Sequence, residues 1–488
     1  MAETQSWEAD LVVVGAGAAG LVAALTAAEG GAKVIVFEKE RSIGGTSNFF
    51  HGTFAVESEM QRERYITYSR DDAFRNIMEY SHWRANGRLV RVIVDESGLT
   101  VGWLQRWGVE FTEATINMPD SPRTYHVVKG SGAAMMKTLA EKAKEKGVDI
   151  RTGTPAKRLL KEGNKIVGVV VEHDGEEIRV PAKAVFIASG GYANSKEWIK
   201  KYAGFDLEVN VFPVGNVDKT GDGIRMAWEA GAAEEGMGML ELFSVGPWGP
   251  DFALRNSIEM VAGQPDLWVS PRGQRFCDES VAFYDTSLGN AAARHREGYH
   301  YRLLDDSIKN IIVEKGIEKG LGVEYPPGWR PVDFDRELAA ALGRGTKEAF
   351  AADSVESLAG EIGVDPAVLK ATVDEYNSFC KEGRDRLFAK PLKYLRPLKG
   401  PRFYAVKART VFLGTMGGIK INHKMEVVDK RDTPIPGLYA GGYDAGGMWG
   451  DSYCIKCSSG LSSAFATNSG RIAGKSVLLY LGGASEGR

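Results

Sequence analysis

Within the first forty residues, the apolar run Leu11-Val12-Val13-Val14 leads into Gly15-x-Gly17-x-x-Gly20. An alanine-rich stretch over 21–28 follows, then a second apolar run over 33–37 that closes on Glu38. The first run is too apolar for a strand wet on one face and predicts a parallel strand buried on both sides. The glycines then have distinct tasks. Gly15 permits the tight turn, Gly17 lets backbone N–H groups approach a pyrophosphate, and Gly20 lets helix and sheet pack closely. The helix N-terminus attracts the anion, and Glu38 stands at the distance that suits hydrogen bonding to a ribose hydroxyl. A strand–turn–helix–strand unit of this kind commits the chain to an α/β fold that binds a dinucleotide. The motif serves FAD and NAD alike.

Composition narrows the partners. The 61 Lys+Arg and 64 Asp+Glu give a net charge of −3, which speaks against a nucleic-acid surface. Four cysteines in 488 residues make no disulfide framework and fit a reducing cytoplasm. The acidic N-terminus and the lack of any long apolar run predict a cytoplasmic chain without export signal or membrane anchor. Seven histidines show no metal-binding spacing, so no metal is expected.

The 59 glycines cluster beside apolar runs. A buried strand over 184–188 runs into Ser189-Gly190-Gly191, and Leu438-Tyr439-Ala440 runs into Gly441-Gly442 before a small-residue helix over 458–479. Three apolar strands ending in glycine pairs imply one sheet assembled from distant segments. Between 243 and 412 the texture changes, first to a loop-like stretch rich in Trp, Met and Phe, then to charged helices. The expected division is a nucleotide-binding domain from 1–242 and 413–488, with a domain at 243–412 inserted into it.

Further motifs follow in order: Gly44-Gly45-Thr46-Ser47, Gly130-Ser131-Gly132, Ala188-Ser189-Gly190-Gly191, Thr220-Gly221-Asp222-Gly223, Arg275-Phe276-x-x-Glu279, Thr415-Met416-Gly417-Gly418 and the Gly441-Gly442 pair. Together they cover nearly the whole chain. The sequence thereby resembles the flavoprotein family of FAD-binding fumarate reductases, succinate dehydrogenases and 3-ketosteroid dehydrogenases. The resemblance implies a Rossmann-like FAD-binding domain with an inserted α+β substrate-capping domain. It also implies noncovalent FAD held by the Gly15–Gly20 turn with Ala18 and Ala19, and by Glu38 and Lys39. The 44–47 turn, Gly130, Gly132, residues 188–191, Asp222, Gly442, Ser459 and Leu461 complete the implied cofactor set. Neither a haem motif nor a second GxGxxG is present, so an external electron donor or acceptor is expected.

Departures from the fumarate pattern shape the functional expectation. Members that reduce fumarate carry a histidine before TMGG and an arginine in H-G-x-N-R, both gripping substrate carboxylates. Here Gly414 and Tyr453 occupy those places, so a dicarboxylate loses two partners. Gly450-Asp451-Ser452-Tyr453 is similar to the G-H-T-Y of 3-ketosteroid dehydrogenases, whose tyrosine meets the substrate ketone. A bulky, mostly apolar ring substrate, an isoflavonoid or a 3-ketosteroid, is the expectation. The alternatives are steroid dehydrogenation and a flavoprotein subunit that passes electrons to a partner. The resemblance places Arg275 as a proton donor or a salt-bridge partner, Tyr284 (or Phe283, one residue earlier) as the proton-transfer position, and Tyr125 as a supporting tyrosine. Cys454-x-x-Cys457 is read as two small residues packed at the flavin rim, with a redox disulfide as the alternative.

Overall fold

The computed structural model describes residues 7–253, 255–320 and 325–483. Two compact units emerge: Met1–Gly204 with Gly215–Glu241 and Leu413–Arg488, and Phe205–Val214 with Leu242–Phe412. The segment Phe205–Val214 belongs to the second unit, although the sequence reading placed it in the first. Its Phe212 and Pro213 pair in parallel with Val411 and Phe412, a ladder between residues two hundred positions apart that no local pattern signals.

The first unit is built on a mostly parallel sheet. Strand Ala9–Val14 lies between Val34–Phe37 and Glu176–Ile187, and Pro434–Ala440 pairs with the far side of Glu176–Ile187. Register brings the strand ends level: Val14 opposes both Phe37 and Ile187, and Ile187 opposes Ala440. The glycine pairs at 15, 190 and 441 therefore all emerge at one edge, the carboxyl ends of parallel strands. In open α/β sheets that is where ligands bind. An antiparallel hairpin, Ala156–Glu162 with Lys165–His173, extends from the Glu176–Ile187 strand.

Two helices cover the sheet behind this edge. Helix Ala18–Glu29 buries every residue up to Ala28, so its alanines and leucines work as packing surface rather than as an amphipathic face. It meets the long helix Leu461–Gly483 closely: a Cβ on Gly470 would stand 2.3 Å from the Ala19 carbonyl oxygen. Small residues at that seam hold the helix against the glycine turn.

The second unit centres on an antiparallel sheet in which Tyr299–Asp305 and Ala349–Ala352 flank Phe403–Thr415, with Leu267–Val269 beyond Tyr299–Asp305. Its apolar core draws on those strands and on helices Val355–Ile362 and Pro366–Glu382. No described helix is long and apolar enough to cross a membrane.

Candidate functional site: a dinucleotide cleft ending in buried tyrosines

The strand edge opens into a cleft in the first unit. Of the residues expected to hold a cofactor, Gly17, Ala18, Ala19, Glu38, Lys39, Gly44, Gly45, Thr46, Ser47, Ala188, Ser189, Gly190 and Gly442 line it. At the end of the first strand Gly15 has φ +106°, and a Cβ there would meet the Ala188 carbonyl oxygen at 2.2 Å. Only glycine suits both demands. A Cβ on Gly17 would meet nothing closer than 3.4 Å and would project beside the cleft wall. Gly17 caps the helix, and Gly17, Ala18 and Ala19 line the cleft, so the positive end of the helix faces it.

Glu38 is fixed before any ligand arrives. One carboxylate oxygen accepts from the Ala16 N–H at 2.8 Å, and the other from Glu40 N–H at 2.9 Å. Ser47 Oγ accepts from the Ala18 N–H at 3.0 Å, tying the second glycine turn to the first helix.

Several expected ligands sit behind the wall rather than in it. The closest approach at Gly132 is a would-be Cβ 1.9 Å from the Ser47 carbonyl oxygen, so its role is to let helix Ser131–Glu145 support the Gly44–Ser47 turn. Gly130 caps that helix with φ +75°. Asp222 is engaged by Lys39 Nζ at 2.7 Å and by the Thr220 hydroxyl at 2.8 Å. Burial pulls the Lys39 ammonium down, yet the carboxylates of Asp222 and Asp218 raise its pKa overall. Gly20 and Gly191 pack against backbone and Thr415 respectively, while Ser459 and Leu461 are buried at the start of the long C-terminal helix.

One residue lining the wall and one behind it carry no motif signature. Lys219, only 8% exposed, hydrogen-bonds the Thr46 hydroxyl. Burial pulls its pKa down to about 8 against the attraction of Asp444 and Glu38. Asp444 is fully buried behind the cleft. It accepts from Gly190 N–H at 3.1 Å, Gly191 N–H at 2.8 Å, and the Ser189 N–H and hydroxyl, so it shapes the Ser189–Gly191 turn. The family motif ends at Gly442, two residues short of it.

Beyond Gly442 the cleft is bounded by Tyr443, Ser462, Ser463, Leu413, Phe49 and Phe50. The Tyr443 hydroxyl donates to Glu241 Oε2 at 2.8 Å. Tyr453 is 4% exposed and packs edge-on against Trp449 at 5.2 Å. Burial raises its pKa, so the hydroxyl stays protonated, and Tyr125 lies within electrostatic reach. The Tyr443 ring also explains Gly414: a Cβ at that residue would stand 2.4 Å from Tyr443 Cε2. The histidine of the fumarate pattern and this tyrosine exclude one another. Asp451 is held by Arg84 at 3.1 Å and His82 at 3.4 Å.

In the second unit, Arg275 is 1% exposed at its side chain. It donates to Glu279 through Nε and Nη2, both at 2.8 Å, and to Asp385 at 2.8 Å. Its guanidinium lies over the rings of Tyr376 and Phe388. That is the geometry of the salt-bridge alternative. Phe283 is committed to the Tyr394 ring at 5.2 Å, whereas Tyr284 is half-buried at the joint between Glu279–Phe283 and helix Asp285–Ala292. Cys454 and Cys457, expected as two packed thiols, are joined in a disulfide with Cα atoms 5.5 Å apart. Cys454 caps the short helix Ile455–Ser458, and an i,i+3 pair on one helical turn faces the same way.

An anion-binding helix end, an anchored acid and a cleft lined by the glycine turns fit FAD. The fold and site define an FAD-binding oxidoreductase. Residues 10–461 match the family described as "FAD binding domain", and the chain belongs to it. It is 35% identical over 480 residues to a vinyl phenol reductase of Lactiplantibacillus plantarum, covering 96% of each chain. Identity to a fumarate reductase (cytochrome) of Shewanella frigidimarina is 29% over 451 residues, 90% of this chain and 72% of the relative. Among solved structures, a 3-ketosteroid delta1-dehydrogenase from Sterolibacterium denitrificans superposes with a TM-score of 0.79 at 20% identity, covering 97% of this chain and 99% of that one.

Proposed function

We propose that the protein is an FAD-dependent reductase of a bulky, mostly apolar ring substrate bearing a phenol or ketone oxygen, with Tyr453 as the hydrogen-bond donor to that oxygen. An isoflavonoid such as tetrahydrodaidzein, giving equol, is the specific substrate proposed, and a 3-ketosteroid is the second. The observation that carries the reading is the replacement of the two carboxylate-binding side chains. Gly414 leaves room for the Tyr443 ring, and Tyr453 offers a neutral hydroxyl in place of a cation. The vinyl phenol reductase and a digoxin reductase of Eggerthella lenta, 28% identical over 509 residues, support a reductase of an uncharged ring substrate.

When bound, FAD supplies the hydride at its N5 position. The chain's residues orient, exclude water and handle the proton. The Gly15–Gly20 turn and Glu38 would hold the dinucleotide's phosphate and ribose end. Tyr453 stays protonated because burial disfavours its phenolate, so it donates and does not repel electron density gathering on a carbonyl or phenol oxygen. The electrons come from an external donor.

The test is steady-state turnover with reduced viologen as donor on tetrahydrodaidzein, a 3-keto-4-ene steroid, 4-vinylphenol and fumarate. The proposal expects a ring substrate to be preferred over fumarate by at least about two orders of magnitude, since two charge-assisted bonds of about 1.5–3 kcal/mol each are missing for a dicarboxylate. Fumarate turnover equal to the best ring substrate would refute it.

A further inference from the structure

Lys219 is a buried cation whose charge the chain leaves unmatched. It lines the cleft, and its ammonium donates to the Thr46 hydroxyl, a neutral acceptor. The carboxylates that act on it, Asp444 and Glu38, are engaged elsewhere. Asp444 accepts from the backbone of residues 189–191, and Glu38 from the N–H groups of Ala16 and Glu40. Asp218 and Asp222 are held by Lys39. Among the described residues no carboxylate forms an ion pair with Lys219. A buried ammonium is costly unless an anion meets it, and an apolar side chain would fill the space more cheaply. Its position says which anion. The side chain crosses the Ser189–Gly191 turn, since a Cβ on Gly190 would lie 3.1 Å from Lys219 Cε and 3.3 Å from Nζ. Its partner Thr46 precedes Ser47, whose Oγ accepts from the Ala18 N–H in the first turn of helix Ala18–Glu29. The ammonium therefore stands on the turn that is tied to the anion-attracting helix end.

We propose that Lys219 is the counterion of the FAD pyrophosphate, completing an anion site that the helix N-terminus begins. This goes beyond the reading of the substrate and holds whichever compound the site reduces. A helix end offers N–H dipoles worth about half a positive charge, whereas a pyrophosphate diester carries a negative charge on each phosphate. Lys219 adds a full positive charge on the same side of the cleft. Burial and the Lys39 ammonium press its pKa down, Asp444 and Glu38 hold it up, and the result of about 8 leaves it protonated at neutral pH. A pyrophosphate beside it raises that value further. FAD binding therefore takes up a proton above about pH 8 and weakens as pH rises through that range.

The experiment dilutes the full-length, FAD-loaded protein and its Lys219→Met and Lys219→Arg variants to equilibrium and reads released flavin by fluorescence, which gives Kd for FAD. Displacement of bound FAD by ADP, which carries the pyrophosphate without the flavin, gives Kd for ADP. Lys219→Met keeps an unbranched chain and removes the charge. It should raise both constants by a similar factor, about 10–10²-fold, the worth of one charge-assisted hydrogen bond. Lys219→Arg should recover most of that loss. In the wild type both constants should climb as pH rises above about 8, and in Lys219→Met they should stay flat through the same range. The wild-type series depends on no variant folding. Unchanged constants in Lys219→Met overturn the inference, and so does a wild-type pH series that stays flat. A weakened Kd for FAD beside an unchanged Kd for ADP overturns it too, since the charge would then serve the flavin end and not the pyrophosphate.

Discussion

The collision between residue 414 and Tyr443 gives a prediction whose size follows from the structure. In Gly414→Ala the new Cβ would lie 2.4 Å from Cε2 and 2.8 Å from Cζ of Tyr443, so the ring must move. Overpacking of this kind costs about 1–3 kcal/mol. A displaced ring also loses the 2.8 Å bond to Glu241, and leaving that buried acceptor unmet adds about 1–3 kcal/mol. The expected loss is therefore about 2–6 kcal/mol, a large part of an ordinary stability of about 5–15 kcal/mol. Urea unfolding followed by tryptophan fluorescence, with flavin release recorded in parallel, measures it as a lowered midpoint. Gly102→Ala is the control: it lies within helix Gly87–Arg106 with nothing within 4 Å of its would-be Cβ, and it should be neutral or stabilising by about 1 kcal/mol. Adding Tyr443→Ala to Gly414→Ala should lose less than the two changes summed, because both act on one space. An unchanged midpoint and normal flavin retention in Gly414→Ala would show that Tyr443 is not packed against residue 414.

Other outcomes follow from the same geometry. Tyr453→Phe should keep FAD content and fold while losing turnover by roughly 10²–10⁴-fold; Tyr284→Phe, measured beside it, tests whether the half-buried hydroxyl of the second unit contributes to proton transfer. Gly15→Ala, with φ +106° and a carbonyl oxygen in the way, should yield protein that retains no yellow colour after desalting. Arg275 holds the Asp385 carboxyl down to about 2 despite its burial. A folded pKa below the unfolded value of about 3.9 gives stability that is present above about pH 4 and lost as pH falls toward 2. Asp385→Asn should be less stable at neutral pH and flatter through that acid window, as read by thermal unfolding at a series of pH values.

The parts of this molecule legible in the sequence are those where one residue type at one spacing has one physical use. Gly15, Gly17, Gly20 and Glu38 announce a phosphate turn and a ribose acid because no other short pattern meets those demands together. The α/β architecture, the family and FAD follow from them and from the later glycine pairs. The unannounced parts depend on contacts between distant segments. Glu241 and Tyr443 meet across two hundred residues, Asp444 reaches back to the 189–191 turn, and Phe212 finds Val411–Phe412 only in the folded chain. Gly414 is intermediate. Its departure from the fumarate pattern is visible in the sequence, but the reason, a tyrosine ring filling the space, is not. Arg275 shows the converse, since a motif arginine reads equally as an acid or as an ion-pair partner until Glu279 and Asp385 are seen to enclose it.

The central claim is that the site passes a hydride from reduced FAD to an uncharged ring substrate and not to a dicarboxylate. Anaerobic rapid mixing tests it most directly. The flavin is reduced stoichiometrically, the excess reductant is removed, and the enzyme is mixed with tetrahydrodaidzein, a 3-keto-4-ene steroid or fumarate while the oxidised-flavin absorbance is followed. The account predicts single-exponential recovery of that absorbance with a ring substrate, saturating in substrate concentration, and recovery with fumarate slower by at least about two orders of magnitude, as the two missing charge-assisted bonds require. Fast recovery with fumarate, or none with any ring substrate, would contradict it.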